Sequence, residues 1–185
     1  METILYFVRH AESVFVEGKE RIRGLSDQGK KDAEIVKDIL KFNDIDRFVS
    51  SPFERAIETI RPLAMECQMK IHIEEDLRER RIGEFAPLTF KEAKYRVYED
   101  REFAFPRGES GIAAQKRAVG VIKSLIQEFK GKTIVVGIHG DIMTLILNHF
   151  DQTYGYTFWE AATIPDIYKL EYKELELNKV IRMWK

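Results

Sequence analysis

The chain is poor in the residues that build disulfide-stapled or metal-held folds. Its 185 residues include one cysteine, Cys67, so no intrachain disulfide can form, and the expected setting is a reducing, cytoplasmic compartment. Four histidines (His10, His72, His139 and His149) show no H-x-x-x-H pairing, and one thiol cannot build a cage. No metal site and no cofactor is therefore expected. An excess of one charge is missing too. The 30 Lys and Arg against 31 Asp and Glu leave no global basic field, which argues against nucleic acid or an anionic membrane as partner. No apolar run approaches the length of a membrane span, and the short run ending at Val8 lacks the basic start and long core of a signal peptide. Repeats, low-complexity tracts and Gly/Pro/Ser-rich linkers are absent as well, and nothing in the sequence marks an oligomeric state.

What remains is a 44% hydrophobic, 33% charged chain of ordinary globular composition, long enough to bury a core and expected to form a single domain over 1–185. Thr3–Val8 is a β-branched and aromatic run that suits a buried strand and stops at Arg9-His10. Ser26 to Lys41 has helical spacing, with Ala33, Val36 and Leu40 on one stripe. Arg47–Ser50 predicts a second strand. Ser51-Pro52-Phe53-Glu54 reads as a helix start with Ser51 as cap and Glu54 completing a capping box. Lys70–Glu74 predicts a strand, and Thr89–Tyr98 a helix with Thr89 and Glu92 as its capping box. Gly111–Phe129 is the clearest helix. Thr133–Ile138 is a continuous apolar strand ending at His139-Gly140, followed by a helix near Asp141–Phe150, and Asp166–Tyr172 and Val180–Trp184 form a closing strand pair.

Strands alternating with helices predict a three-layer α/β/α sandwich around a mostly parallel sheet, with at least one antiparallel strand near the C-terminus. In such sheets ligands bind beyond the carboxyl ends of the strands. Arg9 and His10 follow the first strand, Arg55 lies in the first helical turn after the second, and His139 follows Thr133–Ile138. All four project to one edge as a local cation cluster in a chain of balanced charge. Guanidinium suits phosphate, and the helix starts near Ser51 and Asp141 are expected to add backbone N–H donors. A histidine with a free ring lone pair is a competent nucleophile, neighbouring arginines disfavour its imidazolium form, and a second histidine can donate to the equatorial oxygens. The leaving alkoxide needs a proton, and Glu79 is the candidate donor.

Val8-Arg9-His10-Ala11-Glu12-Ser13 resembles the R-H-G-E-T/S signature of the histidine phosphatase superfamily, which includes the phosphoglycerate mutases. Further segments match in order. Leu25-Ser26-Asp27-Gln28-Gly29 resembles L-T/S-x-x-G, and Ser50 to Thr59 resembles S-S-x-x-x-R-A-x-x-T. Leu77-Arg78-Glu79 with Gly83 resembles L-x-E-x-x-x-G, Pro106 to Ser110 resembles P-G-G-E-S, and His139-Gly140 resembles the late S-H-G. The resemblance implies that His10 is phosphorylated, that Arg9, Arg55, Gly140 and His139 hold the phosphoryl group, and that Glu79 is general acid and base. Departures fall at Ala11 (glycine in the family), Val16 (asparagine in many members), Ile138 (serine), Phe85-Ala86-Pro87 (W-E-G in mutases) and Thr163 to Asp166 (an asparagine often present). They favour a metal-independent phosphatase on a small phosphorylated substrate over a mutase, and the retained pair of histidines argues against a non-catalytic relative.

Other prominent residues have plainer readings. His72 reads as a sheet residue, and His149 as a helix-end or surface group. Ser26, Glu109 and Ser110 read as helix caps. Arg78-Glu79-Arg80-Arg81 would ordinarily be a solvated loop, with Arg80 and Arg81 as secondary substrate contacts. The segment 84–107, mixing Tyr95, Tyr98, Phe103 and Phe105 with basic residues, is either a lid over the site or a packed helix.

Overall fold

The computed structural model describes residues 1–185. One six-stranded sheet has the order β3-β2-β4-β1-β5-β6, with β1 at Glu2–Arg9, β2 at Arg47–Ser50, β3 at Ile71–Ile73, β4 at Thr133–Ile138, β5 at Asp166–Lys173 and β6 at Glu176–Arg182. The β1·β4, β2·β4 and β2·β3 pairs are parallel, while β5 is antiparallel to both β1 and β6. A single strand, β5, thus runs against the other five, as the C-terminal strand pair predicts. The helices are α1 at Asp27–Leu40, α2 at Glu54–Glu66, α3 at Phe90–Glu99, α4 at Gly111–Glu128, α5 at Gly140–Phe150 and α6 at Tyr156–Ala161. No helix is long and apolar enough to cross a membrane.

The period-two alternation of the strands divides the core between the two faces. Leu5 and Phe7 of β1, with Ile134, Val136 and Ile138 of β4, pack against α4 and α5. Tyr6, Val8 and Val135 point the other way, onto Val36 and Leu40 of α1 and Ile60 and Leu63 of α2. Two helices on each face make the three-layer sandwich. The stripe on α4 explains why that helix is so legible: Ile122 and Ile126 are buried, each contributing about 1.5–3 kcal/mol.

Helix ends match the sequence where capping is local. Ser26 accepts from Gly29 N, Ser110 from Ala113 N, and Thr89 and Glu92 form both halves of a capping box. Glu109 is no cap; it pairs with Arg117. The expected cap of α2 does not form either. That helix starts at Glu54 behind Phe53 without a side-chain cap. The Ser51 hydroxyl is taken by His139, 88 residues away, and Glu54 pairs with Arg61. A long-range partner outcompetes the local motif.

Candidate active site

The carboxyl ends of β1, β2 and β4 lie level. Arg9 pairs with Ile138 and Ser50 with Gly137 in the ladder, and the next residues continue it, His10 N donating to Ile138 O and Ser51 N to Gly137 O, each at 3.0 Å. Contacts from α2 and α1 then clamp the loop after β1. Thr59 in α2 accepts from Ala11 N at 2.9 Å and donates to Arg55 O, tying the His10 turn to the turn carrying Arg55. Gly29 lets the first turn of α1 press onto the same loop, because a Cβ there would lie 2.1 Å from Glu12 O.

His10 and His139 face each other with ring centroids 5.2 Å apart. The Nδ1 of His10 lies 2.8 Å from Ala11 O. A carbonyl only accepts, so Nδ1 carries the proton and Nε2 keeps its lone pair. Burial, reinforced by Arg55, pushes the His10 imidazolium down to about 3. The neighbouring arginines thus act as expected, but desolvation is the larger cause. Burial likewise holds His139 well below the usual histidine range, with His10 and Arg55 adding to it. Its Nε2 is 2.6 Å from Ser51 Oγ, which itself accepts from Phe53 N. The hydroxyl can donate to Nε2 while it accepts from Phe53 N, and in that arrangement His139 carries an Nδ1–H.

That nitrogen is one of eight buried side-chain polar atoms without a hydrogen-bond partner, and two others that also lack an ion-pair contact belong to the same region: Arg9 Nε and Arg55 Nε. Buried polar groups are rarely left unpaired; these three come from β1, α2 and the turn between β4 and α5. Each guanidinium is held from behind. Arg9 donates to Ala162 O at 2.9 Å and Thr163 O at 3.3 Å, and it lies so close to the start of α5 that a Cβ on Gly140 would sit 2.6 Å from its Cζ. Gly140 therefore makes room for Arg9. Arg55 donates to Glu20 O at 2.8 Å and stacks on Phe53; burial, together with Arg23, lowers it to about 10. Arg23 was not singled out by sequence. Its side chain is only 14% exposed, and it is held by Ser13 and Glu20.

Glu79 joins the cluster along another route. Its carboxylate accepts from Arg80 N at 2.9 Å, Asp141 N at 3.2 Å and Ile142 N at 3.1 Å. The helix-start donors expected to meet a phosphate at α5 are thus occupied by Glu79. Burial raises the Glu79 carboxyl above the usual range and the nearby Asp141 charge adds to this, opposed by Lys94 and the N–H bonds. Such a group holds a proton nearer neutrality than a free carboxylate does.

The Arg78–Arg81 loop is not solvated throughout. Arg80 is fully buried in a two-pronged pair with Asp141, at 2.8 and 3.0 Å, which removes it from the substrate contacts. Lys94 and Tyr98 of α3 bind the same carboxylate. Removing one partner of such a buried pair costs about 3–5 kcal/mol. His72 sits exposed on β3, and His149 in the exposed last turn of α5, both remote from the cluster in role. The aromatics of 84–107 pack on one another and on α6, as in Phe85 against Phe90 and Phe105, and Tyr98 against Trp159. Only Asp141, which follows His139-Gly140 directly, carried a sequence signal for the buried network: a charge in the first turn of an otherwise apolar helix.

Comparison with known proteins bears on the family and the fold. The profile of the histidine phosphatase superfamily (branch 1) matches residues 5–178. Phosphoglycerate mutase-like protein 4 of Arabidopsis thaliana is 30% identical, over a stretch covering 74% of this chain and 66% of that protein. Among solved structures, the mycobacterial glucosyl-3-phosphoglycerate phosphatase superposes with a TM-score of 0.76 at 19% identity, covering 100% of this chain and 99% of that one. YhfR of Bacillus stearothermophilus gives 0.76 at 22% identity, covering 95% and 94%. Those two likenesses concern the fold; the profile spans the sheet from β1 into β6 with His10, Arg55, Glu79 and His139 inside it, and the chain belongs to the histidine phosphatase superfamily.

Proposed function

We propose that the chain is a metal-independent phosphomonoester hydrolase that works through a phosphohistidine on His10. The observation that carries this reading is the set of unpaired, buried nitrogens around His10, Arg9 Nε, Arg55 Nε and His139 Nδ1, with the Arg23 guanidinium beside them. A phosphoryl group seated among them has its equatorial oxygens held by fixed donors, and guanidinium groups supply the positive charge that spreads over a loose transition state. Nε2 of His10 attacks phosphorus as the P–O bond to the leaving group breaks, and the Glu79 carboxyl gives its proton to the departing alkoxide. Water then attacks the phosphorus of the phosphohistidine, Glu79 takes back a proton, and inorganic phosphate leaves with His10 regenerated. The substrate is a small phosphorylated molecule. We place hydrolysis ahead of isomerisation because Val16 and Ala86, both exposed, bring no polar group to hold a second phosphate.

The test is chemical trapping. With excess chelator present, alkaline quenching after mixing with labelled phosphomonoester should leave base-stable, acid-labile phosphate on His10, and His10→Ala should carry none. Label on a serine or carboxylate, or turnover lost to chelator and restored by a divalent ion, overturns the mechanism.

A further inference from the structure

Asp141 occupies the first turn of α5, and its environment is unusual for a helix start. It is fully buried and accepts from Arg80 Nε and Nη2, from Lys94 Nζ and from the Tyr98 hydroxyl at 2.6 Å. Its own backbone N–H donates to Glu79. One negative charge thus faces two cations, and the trio of Asp141, Arg80 and Lys94 carries a surplus of one positive charge beside the Glu79 carboxyl. Arg80 follows Glu79 directly in the chain, so the Arg80–Asp141 pair also fixes where Glu79 lies over the helix. The second cation comes from elsewhere: Lys94 is on α3, 47 residues from Asp141, with its side chain 5% exposed.

We propose that Lys94, acting through Asp141 and Arg80, is a positioning residue for the general acid, by which α3 sets the pH at which Glu79 holds its proton. This rests on the reading of Glu79 as that acid. The other charged groups facing Glu79 are Arg9 from β1 and Arg55 from α2, with Tyr98 reaching the cluster through Asp141. In the proposed mechanism both arginines meet the substrate phosphate, whereas the side chains of Lys94, Asp141 and Tyr98 touch only the acid's support and can be changed separately.

The sign is fixed by charge. Removing the Lys94 cation makes Glu79 easier to protonate, so the alkaline limb of kcat/KM for an alkyl phosphate moves up by about one pH unit. Asp141→Asn moves it down by a similar amount, and the Lys94→Gln, Asp141→Asn double variant, which restores the net charge, returns it to the parent position. Tyr98→Phe changes no charge and leaves the limb in place. Substrate ionisation is common to all variants and cancels. A purely structural network would lower the rate at every pH with the limb unmoved, and that result in any folded single variant overturns the proposal. If circular dichroism shows both single variants unfolded, the double variant keeps the parental net charge, with the amide oxygen introduced by Asp141→Asn still able to accept from Arg80, and should show the parental limb; a displaced limb there overturns it equally. Glu79→Gln separates the two levels. Alkyl-phosphate turnover that survives it refutes Glu79 as acid, whereas a Glu79-dependent reaction indifferent to Lys94 and Asp141 refutes only this inference.

Discussion

A neutral histidine kept inside a cation cluster should cost the fold stability in acid, and His10 allows the cost to be worked out. Burial and Arg55 push its imidazolium down to about 3, while an unfolded chain protonates it near 6.5. Below pH ~6.5 the unfolded state therefore binds a proton that the folded state refuses, so stability falls as pH drops, until about 3, where the folded state also accepts it. At pH 4.5 the unfolded form has gained roughly two pH units of protonation, worth about 2.7 kcal/mol at ~1.36 kcal/mol per unit. His10 keeps an accessible edge, and solvent screening brings the expectation to about 2 kcal/mol. The perturbation is His10→Gln, which keeps an amide able to donate to Ala11 O and does not titrate. Urea unfolding of parent and variant is compared at pH 7 and pH 4.5 in buffers free of phosphate and sulfate, since an anion bound to the folded state would mask the effect. The loss between the two pH values should be smaller in the variant by about 2 kcal/mol, or roughly 1 M in midpoint at an m-value of ~2 kcal/mol/M. Any offset at pH 7 cancels in this double difference. Equal losses in the two proteins would mean that His10 titrates normally when folded, and the cation-cluster account would be wrong.

Two further outcomes test other parts of the site. Ser51→Ala removes the hydroxyl that fixes the His139 tautomer, so turnover should fall by about tenfold or more with little change in folding; an unchanged rate would show that His139 needs no such lock. Given 3-phosphoglycerate and a trace of 2,3-bisphosphoglycerate, the protein should release phosphate without forming 2-phosphoglycerate, and rapid isomerisation with little release would make it a mutase.

Much of the fold was written in local pattern. Thr133–Ile138 and Gly111–Glu128 could be read within a residue of their observed bounds because a buried strand is a short continuous apolar run and an amphipathic helix repeats every three to four residues. The ladder register then carried Arg9, His10, Arg55 and His139 to one edge, since parallel strands expose their carboxyl ends together. The membership of the chain in its superfamily was likewise legible, because catalytic motifs are short and keep their order.

The tertiary structure decided what depends on partners far along the chain. Ser51 reads as a local cap but is claimed by His139. Arg80 reads as a surface charge but is buried by Asp141, 61 residues on, and Lys94 is buried by the same carboxylate. Arg23 gave no signal, because its loop has no periodicity and its place beside Arg55 comes from how Glu20 and Ser13 hold it. Glu79 was legible as a candidate acid, yet its seat on the first turn of α5 was not. A charge is tolerated in a protein interior only when another charge or a set of hydrogen bonds meets it there. The sequence alone does not say which distant residue will do so; the packing of α3 and α5 over the sheet does.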